Sequence, residues 1–118
     1  KKTGLFSGIC AHRLETVQAC EEAGLDPDFY MYTVNKVDYL SSNPSEIESF
    51  MATVDKPWIG FKVMGAGRDK PSDSFAHAFC RGADFICAGM FDWQVRDDAA
   101  LVKEMVDSGI ARSRPWRG

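Results

Sequence analysis

Apolar and polar positions follow one another along this chain in four rounds: a short apolar run, a few turn residues, then a stretch whose apolar positions recur at helical spacing. The apolar runs cover residues 5–11, 29–34, 58–64 and 85–90. They are too short for buried helices and rich in aromatic and β-branched residues, so they read as strands. Their separation suits a parallel crossover through a helix. The first helix is expected to bury Leu14, Val17, Cys20 and Ala23 and to stop at Gly24, and the second to bury Ile47, Phe50, Met51 and Val54 after an Asn43 cap and Pro44 at the first helical position. A third, capped by Ser72, buries Phe75, Ala78 and Phe79 and closes at Gly82. A fourth, capped by Asp92, buries Val95, Ala99, Val102 and Val106 before Ser108 and Gly109 end it.

Four parallel strands, each followed by a helix, make an α/β fold with the organisation of half a (β/α)8, or TIM, barrel. Residues 1–111 form this (β/α)4 unit, and residues 112–118 a basic C-terminal tail too polar for a core element, with Trp116 docking on the barrel bottom or on a neighbouring subunit. The chain lacks an initiating Met and starts within a few residues of a strand. It is therefore expected to be one half of a longer barrel, completed by a missing N-terminal half-barrel or by a homo-oligomer.

Composition narrows the partners. With 45% hydrophobic and 26% charged residues the chain can build an ordinary soluble core. The net charge is −3, and the basic residues are scattered apart from Arg112, Arg114 and Arg117, which disfavours both a nucleic-acid groove and an anionic membrane surface. No segment has the length of a membrane span and no signal peptide opens the chain, so a cytoplasmic setting is expected. Cys10, Cys20, Cys80 and Cys87 show no metal-ligand spacing and are expected to be buried, reduced thiols.

In a parallel sheet of this kind chemistry belongs at the C-terminal ends of the strands. Lys62, inside the third apolar run, is the first candidate: with Ile59, Phe61 and Val63 packed under helices, alternation sends Gly60, Lys62 and Met64 into the barrel. A barrel-interior ammonium requires a carboxylate, a phosphate or a lowered pKa, and the last would make it a base or an imine-forming nucleophile. His12 stands at the end of the first strand as an acid/base candidate, while His77 lies on a helix away from the strand ends. Asn35 and Tyr32, at the end of the second strand, are expected to orient substrate. Gly65, Gly67, Arg68 and Gly89 form glycine loops suited to an anionic group, and Asp92 serves as helix cap or site carboxylate.

The strings Asp28-Phe29-Tyr30-Met31, Pro57-Trp58-Ile59-Gly60-Phe61-Lys62-Val63-Met64-Gly65-Ala66-Gly67 and Gly82-Ala83-Asp84-Phe85-Ile86-Cys87-Ala88-Gly89-Met90-Phe91-Asp92, with the ending Arg114-Pro115-Trp116-Arg117, resemble the C-terminal half of an uncharacterised family of bacterial TIM-barrel proteins. The resemblance covers nearly the whole chain and implies barrel strands five to eight, without a reaction. The last two βα units are also similar to phosphate-binding barrels of tryptophan and histidine biosynthesis, but lack their Gly-Gly after strand seven. The expected activity is that of a lyase or isomerase, aldolase-like, acting on a small polar carbonyl- or sugar-derived metabolite with Lys62 and His12 as catalytic groups. Two alternatives stand beside it: a sugar isomerase or epimerase using a divalent metal with His12 among its ligands, and a non-catalytic half-barrel that binds a ligand or assembles with itself. The sequence requires no cofactor and fixes no metal ligand set.

Overall fold

Each strand pairs in parallel with the strand that follows it in the chain, giving the order β1-β2-β3-β4. The computed structural model describes residues 3–41 and 43–118. Its elements are β1 (Gly8–Ala11), α1 (Leu14–Glu22), β2 (Phe29–Thr33), α2 (Pro44–Thr53), β3 (Trp58–Phe61), α3 (Pro71–Cys80), β4 (Phe85–Cys87) and α4 (Val95–Asp107), the last preceded by a 3-10 turn, Asp92–Gln94. This is an α/β fold with a four-stranded parallel sheet, compatible with a (β/α)4 half. Gly24, Gly82 and Gly109 follow three of the helices with positive φ, as their positions predicted.

The two faces of the sheet differ. Alternation along the strands places Ala11, Tyr30, Tyr32, Trp58 and Gly60 on one face, and there they share a single core with Leu14 and Val17 of α1, Ile47 and Met51 of α2, and Phe75 and Ala78 of α3. Trp58 and Tyr32 pack with ring centroids 6.2 Å apart, and the Trp58 indole N–H donates to the Tyr32 carbonyl at 3.1 Å. Each fully buried side chain of this size stabilises the fold by about 1.5–3 kcal/mol. The other face carries Gly8, Cys10, Phe29, Met31, Thr33, Ile59, Phe61, Phe85 and Cys87. Among the described residues no helix covers it: Cys10, Phe85 and Cys87 are exposed, and Phe29, Met31, Ile59 and Phe61 half-buried.

This arrangement reverses the expected parity of β3. Trp58 and Gly60 lie under the helices, where a Cβ on Gly60 would come within 2.7 Å of Val34 and 3.1 Å of Ala83, and Ile59 and Phe61 lie on the open face. Glycine gives no signal of facing in the sequence, whereas here its missing side chain lets the helix layer approach. The strand stops at Phe61, and Lys62 turns out of it with φ +57 and an exposed side chain. The expected barrel-interior lysine is thus corrected to an exposed residue in a left-handed turn.

Other boundaries shift for local reasons. β1 begins at Gly8, leaving Leu5 and Phe6 exposed. α3 begins at Pro71 with Lys70 in the capping position and Ser72 in the first turn, since proline at the first helical position fixes the start. Asp92 opens the 3-10 turn and accepts from its neighbour Trp93 N–H, so it does not cap α4. In α4 the half-buried positions are Leu101, Val102 and Met105, with Asp98 buried, while Val95, Ala99 and Val106 face outward. The four cysteines are free, but Cys10, Cys80 and Cys87 are exposed and Cys20 half-buried, correcting the expectation of burial. No helix among the described residues is long and apolar enough to cross a membrane.

The segment after α4 returns to the N-terminal end of the sheet. Arg114 is buried, with its guanidinium donating to the carbonyls of Met51, Val54 and Lys56 and to Asp84 Oδ2. Arg112 donates to Asp84 Oδ1 at 2.8 Å and lies 3.4 Å over the Trp116 ring, which in turn packs on Phe79. The same carboxylate accepts the Trp58 and Arg117 backbone N–H groups, both at 2.9 Å. Composition suggested a peripheral tail; the arginines instead neutralise a buried carboxylate.

Candidate functional site

At the C-terminal ends of the strands the chain behaves differently. β1 ends at Ala11, and His12 folds over the open face of the neighbouring strands. Its Nδ1 lies 2.7 Å from Thr33 Oγ1, and its ring stacks on Phe61 with centroids 5.0 Å apart. Thr33 is fully buried while the imidazole remains exposed. One ring nitrogen is therefore committed to the protein, and the other is the group available for proton transfer. Thr33 and Phe61 carry no sequence signal as site residues; only the register that sets them level with Cys87 and next to His12 reveals them.

Beyond Phe61 the chain makes a tight loop with left-handed φ at Lys62, Gly65, Ala66 and Gly67. This loop and the one after β4 enclose a shallow cleft of about 360 Å³ lined by Phe61, Lys62, Gly67, Cys87 and Gly89. A second cleft of about 780 Å³ adjoins it, sharing Met64, Gly67 and Gly89 and adding Arg68, Lys70, Phe91 and Gln94. Asp69 and Asp73 also line this cleft, but Lys36 lies 3.4 Å from the first and 3.6 Å from the second. Burial raises the Asp69 carboxyl, yet the Lys70 N–H and the Lys36 ammonium outweigh it and hold the group below the ordinary range. The wall thus carries two cations, the exposed Arg68 and Lys70, and two carboxylates that share one Lys36 ammonium. Arg68 is steadied by the Tyr39 ring, 5.2 Å from its guanidinium carbon.

His12, Lys62, Gly67, Arg68 and Gly89 thus gather along one rim. The remaining expected residues do not join them. Tyr32 is in the helix-covered core, where burial first, then Glu15 and Glu46, push its hydroxyl up to about 12. Asn35 is buried and serves the loop that follows it, donating to the Tyr39 carbonyl and accepting from the Val37 and Tyr39 N–H groups. Gly65 is buried against Val37, and Asp92 is exposed outside both clefts. His77 is half-buried beside Arg81; burial and then that guanidinium lower its pKa.

Among the described residues no group of three or more His, Cys, Asp or Glu side chains is placed to hold a metal ion. Comparison of the chain with protein-family models, curated proteins and solved structures gives no match.

Proposed function

We propose that this chain is a (β/α)4 half of a barrel enzyme, a lyase or isomerase acting on a small polar carbonyl- or sugar-derived metabolite, with His12 as its acid/base group. The observation that supports the reading most is the His12 pair with buried Thr33 at the C-terminal rim of the open face. A histidine held by one nitrogen and stacked on Phe61 keeps a fixed orientation, which general acid/base catalysis needs. In this reading the exposed Lys62, Arg68 and Lys70 attract the anionic or carbonyl end of the substrate toward Gly67 and Gly89. Lys62 acts as a charged rim residue, not as a desolvated imine former.

Incubation of the protein in D2O with a panel of hydroxyaldehydes, hydroxyketones and their phosphate esters tests this by NMR. The expected result is deuterium entry beside the carbonyl carbon of at least one compound, falling about 10²-fold or more in His12→Gln. Exchange that is absent throughout, or unchanged in His12→Gln, refutes the reading. Borohydride trapping of the same mixtures is expected to leave no adduct on Lys62.

A further inference from the structure

We propose that the uncovered face of the sheet is closed by a second copy of this chain, β4 of each protomer lying beside β1 of the other around a two-fold axis. Three observations converge on that occupant. The face carries Cys10, Phe29, Met31, Thr33, Ile59, Phe61, Phe85 and Cys87 and not one charged side chain, so two copies meet without like-charge repulsion, as a self-complementary interface requires.

Among the described residues both edges of the sheet are unpaired: β1 pairs only with β2, and β4 only with β3. An exposed strand edge is a template for another strand. Because all strands run parallel and the helices lie on one side, a two-fold axis along the strand direction brings each β4 alongside the partner's β1 in parallel. That single operation satisfies both edges and encloses both open faces. A partner of different architecture would have to supply two matching edges of its own.

The chain also exposes more surface than its mass alone predicts. A folded monomer of 13.1 kDa is expected to expose about 6,400 Å², and this chain exposes 7096 Å². The excess is about 700 Å², to which exposed Phe85 on the open face contributes alongside Leu5, Phe6, Phe91 and Trp93 off that face. Closure would also bring the partner's first strand end, and its imidazole, to the rim formed by Cys87 and Gly89.

Light scattering coupled to size-exclusion chromatography at about 50 μM protein tests the proposal. The expected mass is twice 13.1 kDa; a mass of one chain overturns it. Met31→Glu and Ile59→Lys place charge on the open face and are expected to give monomers with unchanged helical circular dichroism, while Ala52→Glu, exposed on α2, stays dimeric. A dimer that survives both face variants, or is lost equally in Ala52→Glu, also overturns it. Thiol labelling of the unaltered protein gives an answer that does not depend on those variants folding. Cys10 and Cys87 are expected to react at least about tenfold more slowly than exposed Cys80 and to recover their rate on dilution. Equal labelling of all three at about 50 μM refutes the arrangement. None of these readouts uses the chemistry assigned to His12, so the dimer and the reaction fail separately.

Discussion

The two ends of this sheet are built to opposite specifications. At the N-terminal end one buried carboxylate, Asp84, is met by two guanidinium groups and two backbone N–H groups. At the C-terminal end Lys62, Arg68 and Lys70 are exposed, the backbone repeatedly enters the left-handed region, and open clefts separate the loops. The first end invests its polar groups in one rigid arrangement. The second leaves cationic side chains and an imidazole accessible, at some cost in backbone strain. Ionic packing and open, accessible groups are thus separated along the strand direction, and that separation can be tested from both sides.

The largest effect is expected at the closed end. Asp84→Ala leaves Arg112 and Arg114 buried without their carboxylate and should destabilise the chain by about 3–5 kcal/mol in urea unfolding. A loss under about 1 kcal/mol would mean that the arginines find water instead. In the open-end loop, Gly65→Ala combines φ +54 with a Cβ only 2.2 Å from Val37 Cγ2, for an expected loss of about 2–4 kcal/mol. Gly67→Ala has φ +79 and open space around the new methyl, so about 1–2 kcal/mol is expected. Equal losses at the two glycines would show that backbone conformation, and not crowding, controls this loop.

Changes of pH probe the layer between the two ends. The Tyr32 hydroxyl rises from 10.0 to about 12 in the folded chain, burial being the main cause. The folded state therefore keeps a proton that the unfolded state releases above pH 10, and stability should fall as pH rises from 10 to about 12. Tyr32→Phe should flatten that decline in thermal melts. His77 works in the acid direction: burial and Arg81 depress its pKa below the ordinary 6.5 of a histidine, so the unfolded chain takes up a proton first. Stability should then drop as pH falls through about 6.5, and His77→Gln should weaken the dependence.

Much of this fold was legible in the sequence because its signals are local. The strand-helix rhythm, the Pro44 helix start and the glycines after the helices each act within a few residues, although Asn43 before that proline makes no side-chain cap hydrogen bond. What escaped depends on partners distant in the chain. The facing of β3 is decided by Trp58 against Tyr32 and by the space above Gly60, neither visible in an apolar run that tolerates both parities. Lys62 resembled a lumen residue because the run seemed to continue through it, whereas the left-handed turn at that position ends the strand. The tail misled for the same reason: Arg112 and Arg114 read as solvent-exposed until a carboxylate some thirty residues away is brought beneath them, while the Arg117 side chain pairs with exposed Asp55. Of the rim, His12, Lys62, Gly67, Arg68 and Gly89 were legible as residues at strand ends. Thr33 and Phe61 became visible only through pairing register.

The Asp84 clamp has a consequence for how the molecule comes into being on the ribosome. Each strand finds its mate in the segment emerging just after it, so the sheet can be laid down in the order of translation. Asp84, however, must wait for Arg112 and Arg114, which are synthesised 28 and 30 residues later. Until those two arrive, a carboxylate meant for the interior has no counter-charge from them. Folding of this polypeptide is in that sense a growth process finished by a latch.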